Sequence, residues 1–147
     1  MAADVYRISA VTLIIKNMKR SCDFYSKIPG FKLVYGGSSE DSFATYEIGN
    51  NNTTTISAHL NLELNLDMNI SNPTHYLDRR HFGRIIFYTD DVDKLYSYFK
   101  GNKEISNIIS FENEPKDAPW KERYFHIREP DGYQLSFAAP IKQEKKY

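Results

Sequence analysis

Two short stretches hold most of the side chains that could do chemistry. In His59-Leu60-Asn61-Leu62-Glu63-Leu64-Asn65-Leu66, strict alternation at the two-residue period of a β-strand puts His59, Asn61, Glu63 and Asn65 on one face and the leucines on the other. In Arg123-Tyr124-Phe125-His126-Ile127-Arg128 the same period sets Tyr124, His126 and Arg128 apart from Arg123, Phe125 and Ile127. Imidazole and carboxylate are the commonest general bases. Either Glu63 or His126 could take a proton from a carbon beside a carbonyl, with Arg84 steadying the oxyanion that develops. Read as metal donors instead, His59, Glu63 and His126 would form an unorthodox site of three ligands. Distance counts against it, since residues four apart on a strand stand about 13 Å apart at ~3.3 Å per residue. His75 and His81 lie beside Arg79 and Arg80 in a polar connector, where solvated surface is the plain expectation.

The elements that position these residues come twice. The segment from Ala10 to Tyr25 is echoed by the one from Arg84 to Phe99, an offset of 84 − 10 = 74 positions. Each copy begins with an apolar run (Val11 to Ile15, then Ile85 to Thr89), meets a polar break, and continues in a helical pattern. Val92, Leu95, Tyr96 and Phe99 fall at i, i+3, i+4 and i+7, and Met18, Cys22 and Tyr25 follow the same stripe less completely. Asn17 and Asp91 stand where helix N-caps belong. Cys22 on that stripe reads as a packing side chain, not a reactive thiol. Pro29-Gly30 and Gly101-Asn102 end the helices. Strand-like runs follow at 31–35, 43–48 and 53–66, then at 105–111, 123–128 and 133–138. The order is βαβββ, given twice.

The last two runs flank Pro130-Asp131-Gly132, which is hairpin chemistry: Pro130 presets φ and Gly132 accepts positive φ without steric cost. Placed after Ala118-Pro119-Trp120-Lys121-Glu122-Arg123-Tyr124 and near the end of a duplicated βαβββ chain, this hairpin resembles that of the vicinal oxygen chelate superfamily. That superfamily takes in glyoxalase I, extradiol dioxygenases, and fosfomycin- and bleomycin-resistance proteins. The resemblance covers roughly residues 7–140. It implies an α+β fold in which two tandem modules, 7–70 and 80–140, form one domain over residues 1–147, with a curved mixed sheet around a cup.

The resemblance also implies where a metal would sit, on the first and last strands of each module. Carried over residue by residue, those positions fall on Ala10, Glu63, Arg84 and Ser136. Ala has no donor atom, Arg offers no lone pair, and a Ser hydroxyl is a poor ligand for Zn²⁺, Ni²⁺ or Fe²⁺. No cofactor is therefore expected, with a divalent metal such as Zn, Ni or Fe as the alternative. Arg84 could stand in the space of the lost metal, paired with Glu63 or gripping an anionic ligand in bidentate fashion. By similarity to the fosfomycin-resistance group, Tyr124 and His126 face the cup. Pro119-Trp120, the strand, Pro130-Asp131-Gly132 and a final strand without Glu are closest to the metal-free bleomycin-resistance type, which binds without chemistry. Its drug-binding members favour an acidic groove, and Arg84 and Arg128 speak against bleomycin itself.

The expected function is thus metal-free binding of a small organic molecule, through Arg84, His59, Asn61, Tyr88, Trp120, Tyr124 and Ser136, with residues 112–117 as a lid. The alternative is a glyoxalase- or dioxygenase-like enzyme, a lyase, isomerase or oxygenase, with Glu63 or His126 as base or with the unorthodox metal site. Similar paired-module proteins are usually homodimers, and one is expected here. Nineteen basic and nineteen acidic residues, with no basic stripe, argue against nucleic acid or an anionic membrane as partner. A single cysteine, no signal-like start and no apolar run near 18 residues point to a cytoplasmic protein. A chain of 147 residues buries roughly two thirds of its unfolded surface without any covalent staple.

Overall fold

The computed structural model describes residues 2–49, 58–65 and 82–142. The chain divides into two compact units, Met1–Ser71 and Asn72–Tyr147, each with its own mixed sheet, so the class is α+β.

The first unit runs β1 (Ala10–Ile15), α1 (Met18–Tyr25), β2 (Phe31–Gly36), β3 (Phe43–Ile48) and β4 (Ala58–Leu64). Asn17 is the N-cap foreseen: its backbone is extended and its Oδ1 accepts from the Arg20 N–H at 2.9 Å. The sheet order is β1-β4-β3-β2, with β1 and β4 parallel and the other pairs antiparallel. Alternation on β4 behaves as read, for Leu60 and Leu62 are buried with Leu13, Ile15, Ala44 and Tyr46, whereas Glu63 is exposed. Tyr25 of α1 lies 6.0 Å from the Tyr46 ring, and the Tyr46 hydroxyl shares a 2.7 Å hydrogen bond with Ser26 Oγ. Cys22 is buried, its Sγ 3.6 Å from Met18 Sδ. Burial pushes its thiol pKa up, as an unreactive packing role requires.

The second unit runs β5 (Arg84–Tyr88), α2 (Val92–Gly101), α3 (Lys103–Ser106), β6 (Ser110–Phe111), β7 (Lys116–Asp117), β8 (Glu122–Arg128) and β9 (Gln134–Pro140). Its order is β5-β9-β8-β6, with β7 also on β8. Asp91 caps α2 through the Lys94 N–H at 3.0 Å. Val92, Leu95 and Phe99 are buried, and Phe99, Phe125 and Phe137 form a ring cluster with centroids 5.3–6.0 Å apart. The hairpin is as foreseen, with Gly132 at φ +92. Glu129 is buried beneath it, its Oε1 accepting from the N–H groups of Asp131 (2.6 Å) and Tyr133 (3.2 Å).

Two expectations are corrected. The strand expected at 105–111 is only Ser110–Phe111, because Asn102 Oδ1 accepts from the Glu104 N–H at 3.1 Å and starts α3, in which Ile105 is buried. The segment 112–117 is not a free lid, since Lys116–Asp117 pair with Tyr124 and Arg123 as β7. The expected run 53–66 lies partly outside the described residues, as do His75, Arg79, Arg80 and His81. No helix among the described residues is long and apolar enough to cross a membrane.

Candidate functional site

On each sheet's polar face, opposed residues line up in rows across the strands. In the first unit one row reads Ala10, His59, Glu47, Lys32, and the next reads Thr12, Asn61, Thr45, Tyr35. The second row is closed on itself: Thr45 Oγ1 donates to Asn61 Oδ1 at 2.8 Å, and Asn61 Nδ2 donates to Thr12 Oγ1 at 3.2 Å. Glu63 stands one step further along, opposite Ile14 and Phe43, and is exposed.

In the second unit the corresponding rows are Arg84, Gln134, Arg128, then Ile86, Ser136, His126, then Tyr88, Ala138, Tyr124, Lys116. The first row is a linked polar chain. Arg84 Nε donates to Gln134 Oε1 at 2.9 Å, Gln134 Nε2 donates to Glu112 Oε1 at 2.9 Å, and Arg128 Nε lies 3.1 Å from that same oxygen. The middle row is not closed: Ser136 is buried, and His126 Nδ1 is buried with no hydrogen-bond partner among the described residues. The third row is aromatic. Trp120 stacks on Tyr124 with centroids 6.1 Å apart at 22°, Tyr124 lies 4.8 Å from the His126 ring, and the Lys116 ammonium sits 5.6 Å from the Tyr124 centroid. Trp120 is 64% exposed, held in a turn closed by the Lys121 N–H on the Ala118 carbonyl.

Local structure fixes the imidazole. The short strands β6 and β7 leave a gap in the ladder opposite His126, and Asn113 Oδ1 fills it by accepting the His126 N–H at 2.8 Å. On the opposite face Arg123 ties α2 and β7 to β8, forked onto Asp93 (2.7 and 2.9 Å) and reaching Asp117 at 2.9 Å. Burial, then the charge of Arg84, hold the His126 pKa below its ordinary value; Lys116 and Arg128 act in the same sense and Glu112 against them. Its ring is therefore neutral at pH 7, with one nitrogen able to accept a proton. At the far end of β8, a hydrogen bond to the Glu122 carboxylate raises the Tyr88 pKa, and Glu122 Oε2 is buried without a partner among the described residues.

The two registers bear on the metal positions. With Ala10 equivalent to Arg84, His59 is equivalent to Gln134 and Asn61 to Ser136. Asn61, not Glu63, therefore occupies the first module's counterpart of the last-strand position. The set becomes Ala10, Asn61, Arg84 and Ser136: a methyl, a carboxamide already hydrogen-bonded on both sides, a guanidinium and a buried hydroxyl. These residues do not fit a divalent metal. Among the described residues of either unit, no three His, Cys, Asp or Glu side chains gather as a ligand set.

Of the residues singled out beforehand, Arg84, Tyr88, Trp120, Tyr124, His126 and Ser136 belong to the second unit's sheet and its turn, and His59, Asn61 and Glu63 to the first unit's. Gln134, Glu112, Asn113 and Lys116 were missed. Gln134 was legible, two residues before Ser136 on an alternating strand; the other three depend on how 112–117 folds back along β8. An open depression of about 600 Å³ lies where α2 meets α3, lined by Ser97, Tyr98, Gly101, Asn102, Lys103 and Glu104. It brings together no comparable chemistry, and the candidate site stays with the sheet face.

Residues 7–137 match the family model described as the Glyoxalase/Bleomycin resistance protein/Dioxygenase superfamily. No curated protein matches the sequence significantly. The fold is similar to a glyoxalase/bleomycin resistance protein/dioxygenase from Nocardioides (18% identity, 98% of this chain and 89% of that one, TM-score 0.62). It is also similar to a lactoylglutathione lyase from Agrobacterium tumefaciens (18%, 92% and 94%, TM-score 0.62) and to a glyoxalase-related enzyme from Fulvimarina pelagi (16%, 91% and 88%, TM-score 0.62).

Proposed function

The chain belongs to the glyoxalase/bleomycin resistance protein/dioxygenase superfamily, and from that premise we propose that it is a metal-free binding protein for a small organic molecule. The observation that carries this reading is the residue set Ala10, Asn61, Arg84 and Ser136 at the positions where metal-using relatives are expected to place ligands. The ligand lies on the polar sheet face, where Tyr124, Trp120 and Tyr88 offer flat apolar contact and His126 and Arg84 offer polar contact. The protein works in the cytoplasm as a homodimer, with neither nucleic acid nor membrane as partner. The test is metal content of untagged, dialysed protein by plasma mass spectrometry, before and after loading with Zn²⁺, Ni²⁺ or Fe²⁺. Stoichiometric metal would overturn the reading; its absence, with a small-molecule screen giving thermal shifts that His126→Ala abolishes, is the expected result.

A second reading is a metal-independent lyase, isomerase or oxygenase with His126 or Glu63 as base. The neutral, half-buried imidazole favours it, since such a ring can accept a proton at pH 7. Turnover lost in His126→Gln or Glu63→Gln, with the fold intact, separates this reading from plain binding.

A further inference from the structure

We propose that the ligand of this sheet face is a flat aromatic molecule carrying an anionic group. The inference rests on the binding reading above and specifies its chemistry.

The charges around the middle row are unequal. Arg84, Arg128 and Lys116 all act on His126, against the single carboxylate of Glu112. Glu112 Oε1 is already shared by Gln134 and Arg128, so it does not neutralise Arg84 or Lys116. Among the described residues, Arg84 donates from its Nε to Gln134, an uncharged partner. The other carboxylate on this face, Glu122, begins β8 while Arg128 ends it, roughly 20 Å away at ~3.3 Å per residue. Arg84 and Arg128 thus share one end of the face and Glu122 stands at the other, with Lys116 beside Tyr124 between them, which orients a ligand with an anionic head toward Arg84.

Between those ends the surface is aromatic. Trp120 and Tyr124 lie nearly parallel, and Trp120 is largely exposed. A planar ring laid on this pair gains stacking and area burial. A carboxylate or other oxyanion on the same molecule then reaches toward Arg84, whose exposed guanidinium is oriented through Nε by Gln134. No bond is made or broken.

The test uses the protein's single tryptophan as reporter. The full-length protein is titrated with 4-nitrobenzoate, a flat anion that quenches indole emission, and with neutral 4-nitrobenzyl alcohol, with calorimetry in parallel. We expect the anion to bind about tenfold more tightly, the scale of one charge-assisted hydrogen bond. That preference should shrink as NaCl is raised from about 0.05 to 0.5 M. Arg84 and Trp120 are both exposed, so their variants keep the fold. Arg84→Gln should erase the preference while leaving the alcohol's affinity unchanged, and Trp120→Ala should weaken both probes alike by calorimetry. Equal affinity for the two probes, or a preference that survives Arg84→Gln, overturns the anionic ligand but leaves small-molecule binding standing. Binding of neither probe, by heat or by quenching, overturns the ligand class and the assignment of this face together.

Discussion

The two units share a register and differ in what they do with it. Across the first sheet, Thr12, Asn61 and Thr45 bond to one another and leave little for a visitor. Across the second, the equivalent places are Ile86, Ser136 and His126, and the imidazole has a buried nitrogen without a hydrogen-bond partner among the described residues. A buried polar group without a partner is costly, so a fold keeps one mainly where something else will complete it. The same register thus carries one row that is hydrogen-bonded within itself and another that is not.

The largest expected effect breaks the scaffold of the available side. Phe125 is fully buried and its ring lies 5.3 Å from Tyr96 and 5.4 Å from Phe137. Phe125→Ala should cost about 3–5 kcal/mol in chemical denaturation and abolish ligand binding with it. Next comes the closed row: Asn61→Ala should cost about 1 kcal/mol, because two hydroxyls lose their partner, with probe affinity unchanged. If Asn61→Ala instead weakened probe binding as much as a change at His126, the division of labour between the units would be wrong. His126→Phe should do the reverse, holding or raising stability because it removes the unpartnered nitrogen, while lowering probe affinity several-fold, read by calorimetry.

The smallest effect is in pH. Folding holds His126 below its ordinary pKa of 6.5, so between the folded and unfolded values the unfolded chain binds more protons. Its contribution to stability is therefore complete above 6.5 and is lost as pH falls through the folded value. A proton titration of the ring by NMR should give a midpoint under 6.5, and Arg84→Gln should move it upward by removing the largest charge that opposes protonation. A midpoint unmoved by Arg84→Gln would mean that burial alone sets it and that the cationic end of the face does not reach the imidazole.

Much of this was legible in the sequence for definite reasons. Local signals with one physical meaning read correctly: Asn17 and Asp91 as caps, Gly132 as the positive-φ residue of its turn, and the leucines of β4 as the buried face. Signals with two meanings did not. Ile105, Ile108 and Ile109 are β-branched and suggest a strand, yet their spacing also suits a turn of helix, and Asn102 decides for helix by capping α3 just as α2 ends. Along β4 the sequence alone does not rank Asn61 against Glu63; only the pairing of β1 with β4 shows which residue stands opposite which. Asn113 and Glu112 owe their roles to a chain that doubles back along β8, and no run of residues announces that. Lys116 carried no signal at all.

The interrupted edge of β8 has one more implication. Because β6 and β7 are anchored separately and Asn113 covers the gap, residues can be added between Asn113 and Lys116 without shifting the register of His126. The step 114–115 is thus where the loop can lengthen over the face while the rest of the sheet stays as it is.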